Sequence, residues 1–157
     1  MSNRSALLEE ISSMLIDCDL FNHLSAAELR AAAHYFGVNK IDADAVIFNE
    51  GDVGAFMCVV HSGSIAVIKA NQNDALVEMV KLGQGRAFGE MAVLDGERRS
   101  ATCQAAEECI LLTLSKEALD KMVEEHPRIA ARIIRAIAIS LSRRLRMAVG
   151  QLVDHLV

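Results

Sequence analysis

The segment FGEMAVLDGERRSAT, residues 88–102, carries the residues whose types and spacing best suit binding chemistry. Glu90 follows a glycine, and two arginines, Arg98 and Arg99, precede a run of small residues. A carboxylate and a guanidinium beside small residues suit a small anionic ligand, because guanidinium presents a rigid fork of donors to phosphate. An ordinary turn with solvated charges would have the same composition, so these residue types alone leave both interpretations open.

The two arginines are separated by strand alternation. If a strand enters at residue 98, Arg99, Ala101 and Cys103 share one face, and that face is small and apolar. Arg99 is therefore predicted to point inward and Arg98 toward water. An inward arginine requires an anionic partner, which is either Glu90 in a structural ion pair or a bound phosphate.

Glycines near this segment favour the bound phosphate. Gly83, Gly85 and Gly89 remove side chains where a backbone could approach a ligand closely. Residues 90–94 are predicted to form one helical turn, whose first N–H groups lack partners within the helix. Glu90 would repel phosphate, so its expected partner is a neutral donor such as a sugar hydroxyl. A nucleotide with one phosphate charge and a free 2′-hydroxyl satisfies both residues.

The rest of the chain predicts the elements that must position these residues. A helical stripe covers residues 5–16, and a capping box at Ser25 and Glu28 opens a second helix to about residue 36. Short strands broken by Gly, Asn and Asp are predicted at 45–48, 56–60, 64–69, 76–82, 100–105 and 109–114. Ser115 is expected to cap a helix over 116–125, and Pro127 to open a long final helix. The prediction is one mainly β domain over 1–157, an antiparallel, jelly-roll-like β-roll (38–115) between N-terminal helices (1–37) and C-terminal helices (116–157).

Composition excludes several classes of function. A net charge of −5 argues against a general nucleic-acid surface. No apolar run reaches the roughly 18 residues of a membrane span, and the first residues lack a secretion signal. The four cysteines form no C-x-x-C pair and are interpreted as reduced core residues of a cytoplasmic protein. The five histidines are scattered, so no metal site is expected.

The segment FGEMAVLDGERRSAT resembles the phosphate-binding cassette of cyclic nucleotide-binding domains. The earlier segment VIFNEGDVGAFMCVVHSGSIAVI is similar to the glycine-punctuated strands of the same family. The resemblance implies a β-roll flanked by helices, with Glu90 on the ribose 2′-hydroxyl and Arg99 on the phosphate. It also implies that backbone amides complete the phosphate site, near Gly89, Met91, Ala92 and Ser100 or Ala101.

The choice of nucleotide depends partly on Ser100. In this family, threonine after the arginine tends to favour cyclic GMP, whereas serine is found in bacterial regulators that respond to cyclic AMP. The resemblance therefore implies cyclic AMP, with cyclic GMP possible. The family's adenine contacts from the long C-terminal helix would fall near Ala148 and Val149.

Residues 128–146 of the last helix contain six arginines and no acid. A basic surface for nucleic acid or membrane is one interpretation, and a solvated face on a packing helix is the favoured one. Apolar residues recur every three or four positions, as Ile134, Ile137, Leu141, Leu145, Ala148, Leu152 and Leu156. This stripe predicts a homodimer seam or an unidentified protein partner. No helix-turn-helix follows within the 157 residues, so direct DNA binding is not expected.

The leading hypothesis is a cyclic-nucleotide sensor in which the ligand rearranges the C-terminal helices. The alternative is a protein-interaction module of the same fold that has lost its ligand, with Arg99 paired to Glu90. An enzyme is the least favoured, since no Cys/His or Ser/His constellation or metal cluster has a recognisable spacing.

Overall fold

A computed structural model describes residues 2–156, and the side chains of residues 3–153. Two four-stranded antiparallel sheets are flanked by helices at both ends of the chain, which confirms the predicted fold class. The elements are α1 Ser2–Ile16, α2 Ala26–Ala33, β1 Gly37–Ile41, β2 Val46–Phe48, β3 Phe56–Ser62, β4 Ile65–Ala70, β5 Leu76–Leu82, β6 Ala87–Phe88, α3 Glu90–Asp95, β7 Thr102–Ala105, β8 Cys109–Ser115, α4 Lys116–Glu125 and α5 Pro127–Leu156.

One sheet has the strand order β1-β8-β3-β6 and the other β2-β7-β4-β5. Alternate residues of β3 face different cores. Met57 and Val59 belong to a core shared with the helices, whereas Cys58 and Val60 belong to a core between the two sheets. A strand that is buried on both faces reads as a continuous apolar run, as FMCVV does.

The helix starts follow from local chemistry. The Ser25 side chain accepts from the Glu28 amide at 3.1 Å, and the Glu28 carboxylate accepts from the Ser25 amide at 3.0 Å. The Ser115 hydroxyl likewise accepts from the Ala118 amide at 3.0 Å. These contacts satisfy N–H groups that the first turn leaves without partners, and they confirm both predicted starts.

The first half of α5 buries apolar residues against the body, whereas apolar residues of its second half are exposed. Ile133 and Ile137 are fully buried, whereas Leu145 is 66% and Leu152 59% exposed. In the part of the chain described here, no helix is long and apolar enough to cross a membrane.

Candidate functional site

The site is built around α3, which begins directly after Gly89. Gly89 has φ +76°, a left-handed conformation that favours glycine. A β-carbon there would lie 2.6 Å from a guanidinium nitrogen of Arg99 and 3.2 Å from the Phe56 carbonyl oxygen. Glycine is therefore needed here both for the turn into α3 and for the close approach of Arg99.

Arg99 points inward, as predicted, and is only 5% exposed, although β7 begins only at Thr102 and Arg99 lies in the segment before it. Its guanidinium donates to the carbonyl oxygens of Phe56 at 2.7 Å and Gly89 at 3.4 Å. It also stacks on two aromatic rings, 3.8 Å from the centroid of Phe48 and 4.6 Å from that of Phe56. Arg98 is exposed and donates to the Gly51 carbonyl oxygen.

The turn at residues 49–52 holds the backbone of Arg99 in place. The Arg99 amide donates to the Asp52 carbonyl oxygen at 2.6 Å, and the Gly51 amide donates to the Arg99 carbonyl oxygen at 2.8 Å. The Lys69 ammonium donates to the Ser100 carbonyl oxygen at 2.7 Å. This turn contains the EGD of the segment VIFNEGDVGAFMCVVHSGSIAVI, and it therefore fixes the backbone position from which the Arg99 side chain extends.

The surroundings of Arg99 disfavour its charge. Burial lowers the pKa of Arg99, and it raises the pKa values of the neighbouring Cys58 and Cys103 thiols to about 12. Among the ion pairs of the described residues, none includes Arg99. A desolvated guanidinium that is held only by carbonyls and rings has capacity for an anion.

Glu90, the first residue of α3, is buried, with 3% of its side chain exposed. Its Oε2 accepts from Arg144 of α5, and its Oε1 is buried without a hydrogen-bond partner among the described residues. The structural ion pair between Arg99 and Glu90, which the sequence left open, is therefore not formed. Glu90 instead pairs with an arginine 54 positions away in the chain.

A cavity of about 720 Å³ opens over these two charged residues. Its volume lies within the range of about 300–1,000 Å³ that is usual for small-molecule sites. The seven residues that were predicted to contact the phosphate and the ribose all line this one cavity, namely Gly89, Glu90, Met91, Ala92, Arg99, Ser100 and Ala101. Val67, Val80 and Leu82 form an apolar wall from β4 and β5.

Helix α5 lines the cavity with residues that sequence reasoning did not select. These are Ala136, Ile139, Ser140, Arg143 and Arg144, whose spacing places them on one side of the helix. Ala148 and Val149 are not among the residues that line the cavity in the single chain, so their expected position near the base stays a prediction. From Ser140 to Ala148 the helix rises about 12 Å, at about 1.5 Å per residue.

Two other contributions to the site were missed. Phe48 and Phe56 provide the rings on which Arg99 stacks, and the only sequence signal for this is an aromatic residue on each of two strands that follow one another in the chain, β2 and β3. A β-carbon at Gly54 would lie 2.4 Å from the Ala92 β-carbon and 2.8 Å from Arg99 Nε. Within the described residues, no group of three or more His, Cys, Asp or Glu side chains could hold a metal ion.

Comparison with known proteins confirms the resemblance seen in the sequence. Residues 38–126 match the cyclic nucleotide-binding domain family. The chain is 33% identical over 129 residues to the cyclic AMP receptor protein of Thermus thermophilus, covering 82% of this chain and 58% of that protein. It is 29% identical over 104 residues to the cAMP-dependent protein kinase regulatory subunit of Yarrowia lipolytica, covering 66% of this chain and 26% of that protein.

The fold is shared as well. A crystal structure of a cyclic nucleotide-binding domain from Methylobacillus flagellatus superposes with a TM-score of 0.81 at 27% identity, covering 94% of this chain and 83% of that one. The chain spans 58% or less of the two relatives compared above. Because the family match covers more than half of its residues, the chain belongs to the cyclic nucleotide-binding domain family.

Proposed function

We propose that this chain binds a cyclic nucleotide, with cyclic AMP as the preferred ligand and cyclic GMP as a weaker one. The observation that carries the proposal is that one cavity contains both a buried arginine without an anionic partner and a buried carboxylate oxygen without a hydrogen-bond donor in the described part of the chain. Arg99 is desolvated and forms no ion pair within the described residues, and Glu90 has a buried oxygen without a donor. A cyclic phosphate next to a ribose 2′-hydroxyl supplies the anion and the donor together.

Backbone amides would complete the phosphate site. Because α3 begins at Glu90, the first amides of this helix have no carbonyl four residues earlier within it. In this proposal the amides near Gly89, Met91 and Ala92, and those of Ser100 or Ala101, share the phosphate oxygens with Arg99. Phosphate and hydroxyl are thus read by different groups, which favours a cyclic nucleotide over inorganic phosphate.

The preference for cyclic AMP draws support from Ser100 and from the relatives named for cyclic AMP. A cGMP-dependent protein kinase of Eimeria tenella is also 31% identical over 107 residues, so both nucleotides belong in the test. We assign no catalytic step to the site and no metal to the bound state.

The ligand is proposed to act through α5. This helix lines the cavity, and its second half exposes apolar residues such as Leu145 and Leu152. A ligand that prefers one arrangement of α5 would change a contact made by that exposed stripe, either with a second copy or with another protein. No contact with DNA is proposed. The four buried free thiols suit a reducing compartment, so a cytoplasmic location forms part of the proposal.

Titration calorimetry of the full chain with cyclic AMP, cyclic GMP and linear AMP tests the binding step. We expect micromolar or tighter binding of cyclic AMP, weaker binding of cyclic GMP and the weakest binding of linear AMP. No binding of either cyclic nucleotide up to millimolar concentration would contradict the proposal. That result would favour the alternative, a protein-interaction module without a ligand, for which the exposed apolar stripe on α5 is the supporting observation.

A further inference from the structure

The ion pair between Glu90 and Arg144 joins the cavity to α5 through a single carboxylate. Oε2 of Glu90 accepts from Arg144, and Oε1 remains without a partner among the described residues. An ionised carboxylate offers two oxygens that each accept hydrogen bonds. Arg144 and a ligand hydroxyl therefore use different oxygens, and the two contacts are compatible.

Arg144 also supplies the charge that Glu90 requires. The Glu90 side chain is 3% exposed, whereas that of Arg144 is 55% exposed and reaches it from the rim of the cavity. A buried carboxylate without a cation is strongly unfavourable, because it has lost its hydration. The ion pair thus keeps a negative charge at this depth and holds the carboxylate in one orientation.

The other cations around the cavity determine whether the contact between Arg144 and Glu90 persists when a ligand binds. Arg86, Arg143 and Arg144 line the same cavity, and burial together with the positive charge of Arg86 lowers the pKa of Arg144. An anionic neighbour therefore stabilises the charged form of Arg144. Glu90 is one such anion, and the phosphate of a bound ligand adds a second anion to the cavity. Electrostatics favour retention of Arg144 when the ligand is bound.

We infer that Arg144 is a positioning residue for the ligand: it orients Glu90 so that Oε1 receives the ribose 2′-hydroxyl, and it ties α5 to the occupied site. This inference rests on the proposed function and adds a specific link between the sugar and the helix. It makes the 2′-hydroxyl the part of the ligand that α5 senses. Because coupling of two contacts is reciprocal, loss of the hydroxyl should loosen α5 as much as loss of Arg144 weakens hydroxyl recognition.

The test is a cycle of two proteins and two ligands, measured by calorimetry on the full chain. Wild type and Arg144→Gln are each titrated with cyclic AMP and with its 2′-deoxy analogue. We expect wild type to bind the deoxy analogue at least about tenfold more weakly, the size of one charge-assisted hydrogen bond. Arg144→Gln should bind cyclic AMP about tenfold more weakly and distinguish the two ligands by less than about threefold.

Two further variants control for charge and for folding. Arg146→Gln removes an exposed arginine of the same helix that does not line the cavity, and its affinities should match wild type within about twofold. Arg144→Lys restores the positive charge without the fork of donors, and should regain most of the lost affinity.

Hydrogen exchange adds a second readout, because cyclic AMP should protect amides near residues 139–147 in wild type more than in Arg144→Gln.

Each outcome decides the inference. Unchanged or tighter binding of cyclic AMP by Arg144→Gln would overturn it, and tighter binding would show that the ion pair competes with the ligand. Equal weakening for both ligands would also overturn it, since Arg144 would then act without the hydroxyl. If wild type binds neither ligand, the proposed function fails as well, so the two failures are distinguishable.

Discussion

Replacement of Arg99 by methionine separates ligand binding from fold stability. Methionine fills a similar volume against Phe48 and Phe56, but it removes the donors to two carbonyl oxygens and the charge on the two rings. The lost hydrogen bonds and stacking cost about 1–3 kcal/mol, and removal of a desolvated charge offsets part of this cost. We expect unfolding free energy to fall by about 1–2 kcal/mol, which leaves the variant folded.

Arg99→Met should remove most of the stabilisation that the ligand provides, although it removes only a small part of the stability of the chain without ligand. If the chain binds cyclic AMP as proposed, the nucleotide at 100 times its Kd should stabilise wild type by about 2.7 kcal/mol and raise the Tm by about 5–10 °C for a domain of this size. Loss of the proposed charge-assisted contact between Arg99 and the phosphate should weaken binding by about 100-fold. At the same nucleotide concentration the variant is then only half saturated, and its Tm should rise by about 1–2 °C.

Differential scanning calorimetry with and without nucleotide measures both effects. Arg135→Met is the matched control, because Arg135 is an exposed arginine of α5 that does not line the cavity. It should keep the full rise in Tm. A full rise in Arg99→Met would refute the role of Arg99 as the phosphate ligand. No rise in wild type would refute ligand binding itself.

Three further predictions concern the turn, the core and the exposed part of α5. Gly89→Ala should lower unfolding free energy by about 1–2 kcal/mol and weaken nucleotide binding, because the new methyl group meets the Arg99 guanidinium at a positive φ. At Gly150 a β-carbon meets no atom within 4 Å, so Gly150→Ala should instead stabilise the chain by about 0.5–1 kcal/mol. Urea denaturation measures both changes, and equal effects of the two substitutions on the free energy of unfolding would contradict this reasoning. Burial raises the pKa of the Cys58 thiol from 9.0 to about 12, so the thiol ionises in the unfolded chain before it does so in the folded one. The free energy of unfolding should therefore fall as pH rises above about 9, and this thiol contributes up to about 1.4 kcal/mol per pH unit to the fall. If Cys58→Ala shows a fall of the same slope, the Cys58 thiol is not a source of this pH dependence. Leu152→Glu should convert a dimer of about twice 17.1 kDa into a monomer in sedimentation equilibrium, and a monomeric wild type would remove the basis for a homodimer seam.

Most of the fold could be predicted because its signals are local. The capping serines, the glycine before α3 and the alternation around Arg99 involve residues within a few positions of one another, so their geometry follows from backbone chemistry. The strands β1 and β6 were missed for a physical reason. Gly37–Ile41 is a largely exposed edge strand without an apolar pattern, and Ala87–Phe88 is too short to show one.

The sequence by itself determined which residues are equipped to bind a ligand. A compact segment with a carboxylate, an arginine on the inner face and a glycine-led turn carries its chemistry within 15 contiguous residues, 88–102. Only the tertiary structure decided how those charges are paired. Arg144 reaches Glu90 from 54 positions away because the packing of α5 against the body sets which turn of the helix covers the cavity. That rotation and register depend on the summed burial of Ile133, Ile137 and their neighbours, which no local pattern specifies.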